Sequence, residues 1–111
     1  MKRSTEKAIY YIGDHITQSG YPCLIAAVNR CLKLGKYPRG QLMELVYRPV
    51  AQEIGISLER FNRAIGRATQ DIWDKRSHKE LDEIVGHHLG VDQKPSPREL
   101  ILYLYLYLKE E

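Results

Sequence analysis

The chain reads as an all-α protein, a compact bundle of about six helices containing a helix-turn-helix, and three observations predict it. Apolar residues recur three and four apart in segment after segment. Helix-starting Ser and Pro and helix-ending Gly punctuate those segments at the right places. No two alternating runs are joined by a hairpin turn, so a sheet has no partner strands.

Residues 4–17 carry Ala8, Ile9, Ile12 and Ile16 at helical spacing, with Ser19-Gly20 following. Pro22 suits the first turn of a second helix, where its missing N–H would be unpaired anyway. That helix gathers Leu24, Ala27, Val28, Cys31 and Leu32 on one face and stops near Gly35. A loop over residues 36–40 precedes a short apolar helix over 41–47. Pro49 then opens another short helix with Val50, Ala51 and Ile54, ended by Gly55. Ser57 caps the next helix, with Glu59 in its first turn against the dipole. This one runs to about Lys75, burying Leu58, Phe61, Ile65, Ala68, Ile72 and Trp73.

A further helix over 79–89 turns Leu81, Ile84, Val85 and Leu89 inward and ends at Gly90. Ser96-Pro97-Arg98-Glu99 supplies a cap, a first-position proline and a capping box. Residues 100–108 alternate Leu and Tyr, a strand period, but the strong start signal and the lack of a partner strand favour a helix.

With 111 residues, the chain has the size of a single helical domain spanning 1–111. Seventeen basic against fourteen acidic residues leave a net +3, which permits an acidic partner such as DNA without demanding one. No apolar run approaches the ~18 residues of a membrane span, and the N-terminus lacks a signal-peptide core, so a cytoplasmic location is expected. Cys23 and Cys31 fall on one helix about 12 Å apart, too far to pair, and read as reduced, half-buried residues.

The pattern carrying function is Val50-Ala51-x-x-Ile54-Gly55-Ile56-Ser57-x-x-x-Phe61, a helix-turn-helix over 49–75. Ala51 is small where the helices cross, Gly55 makes the turn, and Val50, Ile54, Ile56 and Phe61 fill the wedge. The second helix of such a pair lies in the DNA major groove. At ~100° per residue, Arg60, Arg63, Arg67 and Gln70 fall opposite the apolar stripe, and Asn62 and Gly66 flank them. Arg reads guanine through two hydrogen bonds, and Asn or Gln reads adenine comparably. The competing reading is a solvated face, with Glu59 pairing Arg63 and Arg67 pairing Asp71 at i,i+4. Lys33, Lys36, Arg39, Lys75 and Arg76 are candidates for phosphate contacts. Arg48 and Ser57 rank above them, because each precedes a helix N-terminus with free N–H groups.

The residues Tyr47-Arg48-Pro49-Val50-Ala51-Gln52-Glu53-Ile54, then Arg60-Phe61-Asn62-Arg63-Ala64-Ile65-Gly66-Arg67-Ala68, then Trp73, carry a resemblance. They are similar to the C-terminal effector domain of the sporulation master response regulator of endospore-forming bacteria. Ile12-Gly13, His15-Ile16 and Gly20-Tyr21 near the start, and Lys94-Pro95-Ser96 near the end, extend the similarity over nearly the whole chain. The resemblance implies an all-helical domain of about six helices that binds short duplex elements at promoters, often as tandem dimers, and regulates transcription. It implies that Arg63 reads bases and that Arg67 stands where the family has a DNA-facing His. Asn62 replaces an acidic residue and Gly66 a second DNA-contacting arginine, departures that bear on the target sequence. These 111 residues contain no receiver domain, so phosphorylation-controlled dimerisation is not expected within this chain.

His78, His87 and His88 with Asp82 and Glu83 form a loose polar cluster, for which capping and surface roles are expected rather than a metal site. No cofactor is expected. The sequence contains no phosphate loop and no nucleophile elbow, so an enzyme is not expected either. The last helix would be apolar nearly all round, which predicts a homodimer interface through Tyr103, Tyr107, Leu104 and Leu108. The alternative function, from another class, is a helical protein-interaction module that has lost DNA binding and modulates a homologous regulator.

Overall fold

A computed structural model describes residues 4–109 as α1 (Thr5–Ile12), α2 (Gly20–Leu34), a π-helical turn (Met43–Tyr47), α3 (Arg48–Ile54), α4 (Leu58–Asp74), α5 (Lys79–Val85) and α6 (Pro97–Lys109). No strand forms among the described residues, and the Leu/Tyr alternation of α6 is helical. The core is one cluster to which every element contributes.

Ser4 caps α1 by accepting the Lys7 N–H at 3.3 Å. The helix stops at Gly13 rather than running to residue 17, and Ile16 is 41% exposed instead of buried. The reason is competition for backbone donors. The Asp14 N–H goes to the Tyr21 hydroxyl at 3.3 Å and the His15 N–H to the Asp71 carboxylate at 2.8 Å. Those partners come from α2 and α4, and a further helical turn would forfeit them.

α2 buries Leu24, Ala27, Val28 and Cys31, with Leu32 half-buried, and ends as expected at Gly35, whose φ of 74° suits only glycine without strain. Both cysteines are free and fully inside rather than half-buried. Burial raises both thiols, Cys31 to about 11, so neither is a thiolate at neutral pH.

The two short helices expected on either side of Pro49 are one continuous helical run. Arg48 N–H reaches back five residues to the Met43 carbonyl, which defines the π turn. Pro49 has no N–H to give the Leu45 carbonyl one turn back. Arg30, from α2, donates its Nε to that carbonyl at 3.1 Å. The side chain of one helix thus stabilises a break in the ladder of another.

Gly55, at φ 87°, closes α3, and both its N–H and that of Ile56 bond to the Ala51 carbonyl. Val50, Ala51 and Phe61 form the wedge between α3 and α4, with the Tyr47 ring edge-on to Phe61 at 5.2 Å. Ile54 does not join them: next to the turn, it sits on the outer side of α3 and is 45% exposed.

α5 ends at Gly86, φ 96°, not at Gly90. Asp82 causes the early stop by accepting the Leu89 N–H at 3.1 Å and His88 Nδ1 at 3.0 Å. Residues 86–90 fold back, and Leu89 is buried from a loop rather than from a helix.

The capping box of α6 forms as the sequence predicts: Ser96 Oγ accepts the Glu99 N–H at 3.1 Å, and Glu99 Oε1 accepts the Ser96 N–H at 2.8 Å. The expected dimer surface needs correction. Leu104 and Leu108 are in the core, at 0% and 4% exposure, because α6 packs against α1, α2, α4 and α5 at once. What α6 exposes is Leu106, with Tyr103 and Tyr107 half-buried.

Candidate nucleic-acid interface

Seventeen residues long, α4 is the longest helix and is sharply two-faced. Ser57 Oγ caps it, accepting the Arg60 N–H at 3.1 Å. Phe61, Ala64, Ile65, Ala68, Thr69, Asp71 and Ile72 face inward. Arg60, Asn62, Arg63, Arg67 and Gln70 are all exposed, as the helical period requires. Gly66 lies between them, and no atom comes within 4 Å of where a Cβ would stand, so the middle of this face is open.

The arginines differ in their engagement. Arg63 Nη1 bonds Glu59 Oε1 at 2.8 Å, with the two side chains 58% and 80% exposed. An ion pair so wet contributes only ~0.3–0.5 kcal/mol and yields readily to a stronger anion. Arg60 and Arg67 enter no ion pair among the described residues. The i,i+4 pair of Arg67 with Asp71, which the sequence allowed, does not form.

Asp71 points inward instead, and this is the feature that sequence reasoning missed. Its Oδ2 accepts the Tyr21 hydroxyl at 2.5 Å and the His15 N–H at 2.8 Å, and its Oδ1 meets His15 Nδ1 at 2.7 Å. Burial raises the carboxyl, but the bonds from Tyr21 and His15 outweigh it and hold Asp71 below the ordinary aspartate value. The same bond, with the charges of Asp14 and Asp71, raises the His15 imidazole, while burial and the bond to Asp71 push the Tyr21 phenol far up. The signal was present: residue 71 falls between Ala68 and Ile72 on the stripe the period assigns to the core.

The flanking candidates fare unevenly. Gln70 has both ends of its amide engaged, Nε2 donating to Asp74 at 2.7 Å and Oε1 accepting from Lys94. Arg48 is exposed beside Glu44 at 3.3 Å. It does not stand before a free helix N-terminus, because its own N–H bonds Met43 within the continuous run. Lys75 is a strut between the Tyr11 carbonyl, at 3.2 Å, and Glu80, at 3.1 Å. Arg39 lies over the Tyr37 ring at 5.9 Å. The histidines have separate partners: His78 stacks on Trp73 at 4.2 Å and meets its carbonyl, His87 faces the Tyr103 ring edge-on, and His88 is tied to Asp82.

A helical bundle that turns guanidinium groups outward along one long helix has the form of a DNA-binding regulatory domain. The chain belongs to the family described as Sporulation initiation factor Spo0A C terminal, whose model matches residues 5–108. Domains of that family bind DNA and regulate transcription in sporulation; they are not enzymes. No curated protein and no solved structure matched the chain. No helix among the described residues is long and apolar enough to cross a membrane.

Proposed function

We propose that the chain is a sequence-specific regulator of transcription in which α3, the Gly55 turn and α4 act as a helix-turn-helix and α4 enters the major groove of duplex DNA. The observation that carries this reading is the outer face of α4: Arg60, Arg63 and Arg67 are exposed, and the one ion pair among them is a wet surface pair. Three cations on one helix face repel one another, and a polyanion relieves that repulsion. Arg60, Asn62, Arg63 and Arg67 read base edges, and Gln70 joins them after releasing Lys94. Ser57 lies at the α4 N-terminus and Arg48 beside it in sequence order; both serve backbone phosphates. A homodimer through α6 would use Tyr103, Tyr107 and Leu106 rather than Leu104 and Leu108. A chromosome-bound regulator works in the cytoplasm.

Selection of bound fragments from random duplex DNA, followed by affinity measurements across salt concentrations, tests the reading. A groove reader enriches one motif and loses affinity steeply with salt. Recovery of no motif, together with co-purification of a homologous regulator, would support the interaction-module alternative instead.

A further inference from the structure

The inference concerns why Arg67 is available at all, and it rests on the reading of α4 as the DNA-contacting helix. An aspartate four residues after an arginine on an exposed helix ordinarily competes for that arginine. Here Asp71 stands at that spacing from Arg67, yet its carboxylate is only 8% exposed and is engaged by three donors from outside α4. The two oxygens are held differently. Oδ2 takes the Tyr21 hydroxyl and the His15 backbone N–H, whereas Oδ1 is held by the His15 imidazole alone.

We propose that His15 is a positioning residue for DNA binding: by holding Asp71 Oδ1, it withholds that carboxylate from Arg67 and leaves the Arg67 guanidinium free for DNA. His15 sits in the connection between α1 and α2, which reaches α4 because Gly20 packs directly on the backbone at Ala64 and Ala68. Without the imidazole, Oδ1 becomes the nearest unsatisfied anion one helical turn from Arg67, and the released carboxylate draws the guanidinium back along the helix. The arginine would then have to leave a carboxylate before meeting DNA.

The tie also responds to protons. The groups facing the imidazole are Asp71 of α4 at 2.7 Å, Asp14 of its own connection at 3.6 Å, and the Tyr21 hydroxyl of α2, which shares Asp71. Both carboxylates favour the imidazolium, which binds Oδ1 more tightly than neutral imidazole does. Arg67 is therefore most available below the His15 pKa, and DNA affinity declines as pH rises through it.

The test compares the full chain with His15→Ala, His15→Asn, Asp71→Asn and the His15→Ala/Asp71→Asn double variant, each checked for helical content. Without DNA, the Arg67 Nε–Hε resonance reports on carboxylate pairing. With a duplex recovered by selection, fluorescence anisotropy at pH 6 and pH 8 gives the affinity. His15→Ala, which keeps the backbone N–H, should shift the Arg67 resonance and weaken binding roughly two- to fivefold, the scale of an exposed ion pair. His15→Asn, which can still donate to Oδ1, should restore both readouts but abolish the pH dependence. The double variant should recover affinity because no carboxylate is left to compete, whereas a merely structural tie would make it worse than either single variant. An unmoved Arg67 resonance in His15→Ala, or a double variant no better than His15→Ala, would overturn the proposal. If wild type binds no duplex, the proposed function falls, and the Arg67 resonance still decides this inference.

Discussion

Gly20 lies against the backbone of Ala64, so close that a Cβ on Gly20 would collide with the Ala64 carbonyl oxygen. This contact joins the first turn of α2 to the middle of α4 and sets the separation of the most extensively packed helix pair in the molecule. Neither residue is near the Gly55 turn, yet together they fix the angle at which α4 is presented.

Gly20→Ala should therefore destabilise the protein although alanine is the better helix former. The expected loss is about 1–3 kcal/mol, the usual cost of overpacking, measured as a lower midpoint in urea unfolding. Unchanged stability would mean that α2 and α4 can separate freely.

The wedge behind α4 should be sensitive at one position and indifferent at another. Phe61→Ala empties a fully buried site and should cost about 3–5 kcal/mol. Ile54→Thr changes a residue that is 45% exposed and should stay within about 0.5 kcal/mol. Thermal unfolding of the two variants distinguishes this structure from one in which Ile54 fills the wedge.

Capping should matter at α6 and at α4 alike. Ser96→Ala removes one half of the capping box and Ser57→Ala the acceptor for the Arg60 N–H. Each should lower stability by about 1 kcal/mol. Ser57→Ala should also weaken DNA binding, because fraying begins beside Arg60.

Stability should fall at both ends of the pH scale for opposite reasons. Asp71 has a lowered folded pKa, so its contribution is present above its unfolded value of ~3.9 and is lost as pH falls through the folded value. His15 has a raised folded pKa, so its contribution is present below ~6.5 and disappears as pH rises through the folded value. Urea midpoints at intervals between pH 3 and pH 9 should show both limbs. His15→Ala should flatten only the upper one.

At the proposed interface, Arg63→Ala should cost roughly 1–3 kcal/mol of discrimination at one base position. Lys33→Ala, far from α4 in sequence and on α2, should leave sequence preference unchanged. A binding assay against single-base variants of the selected duplex separates the two.

The amino-acid sequence by itself determined the helices that rest on local rules. The α6 capping box, the Gly35 and Gly55 stops and the outward row Arg60, Arg63 and Arg67 depend on neighbours within one or two turns, where period and capping chemistry suffice. Tertiary structure decided what distant partners control. α1 ends at Gly13 because α2 and α4 claim its next donors, α5 ends at Gly86 because Asp82 captures Leu89, and Pro49 sits inside a helical run because Arg30 answers the carbonyl it leaves. The fate of Asp71 belongs to the same group. Spacing alone offered it to Arg67, and only folding brought His15 and Tyr21 within bonding distance, where several hydrogen bonds in a buried setting outweigh one exposed ion pair.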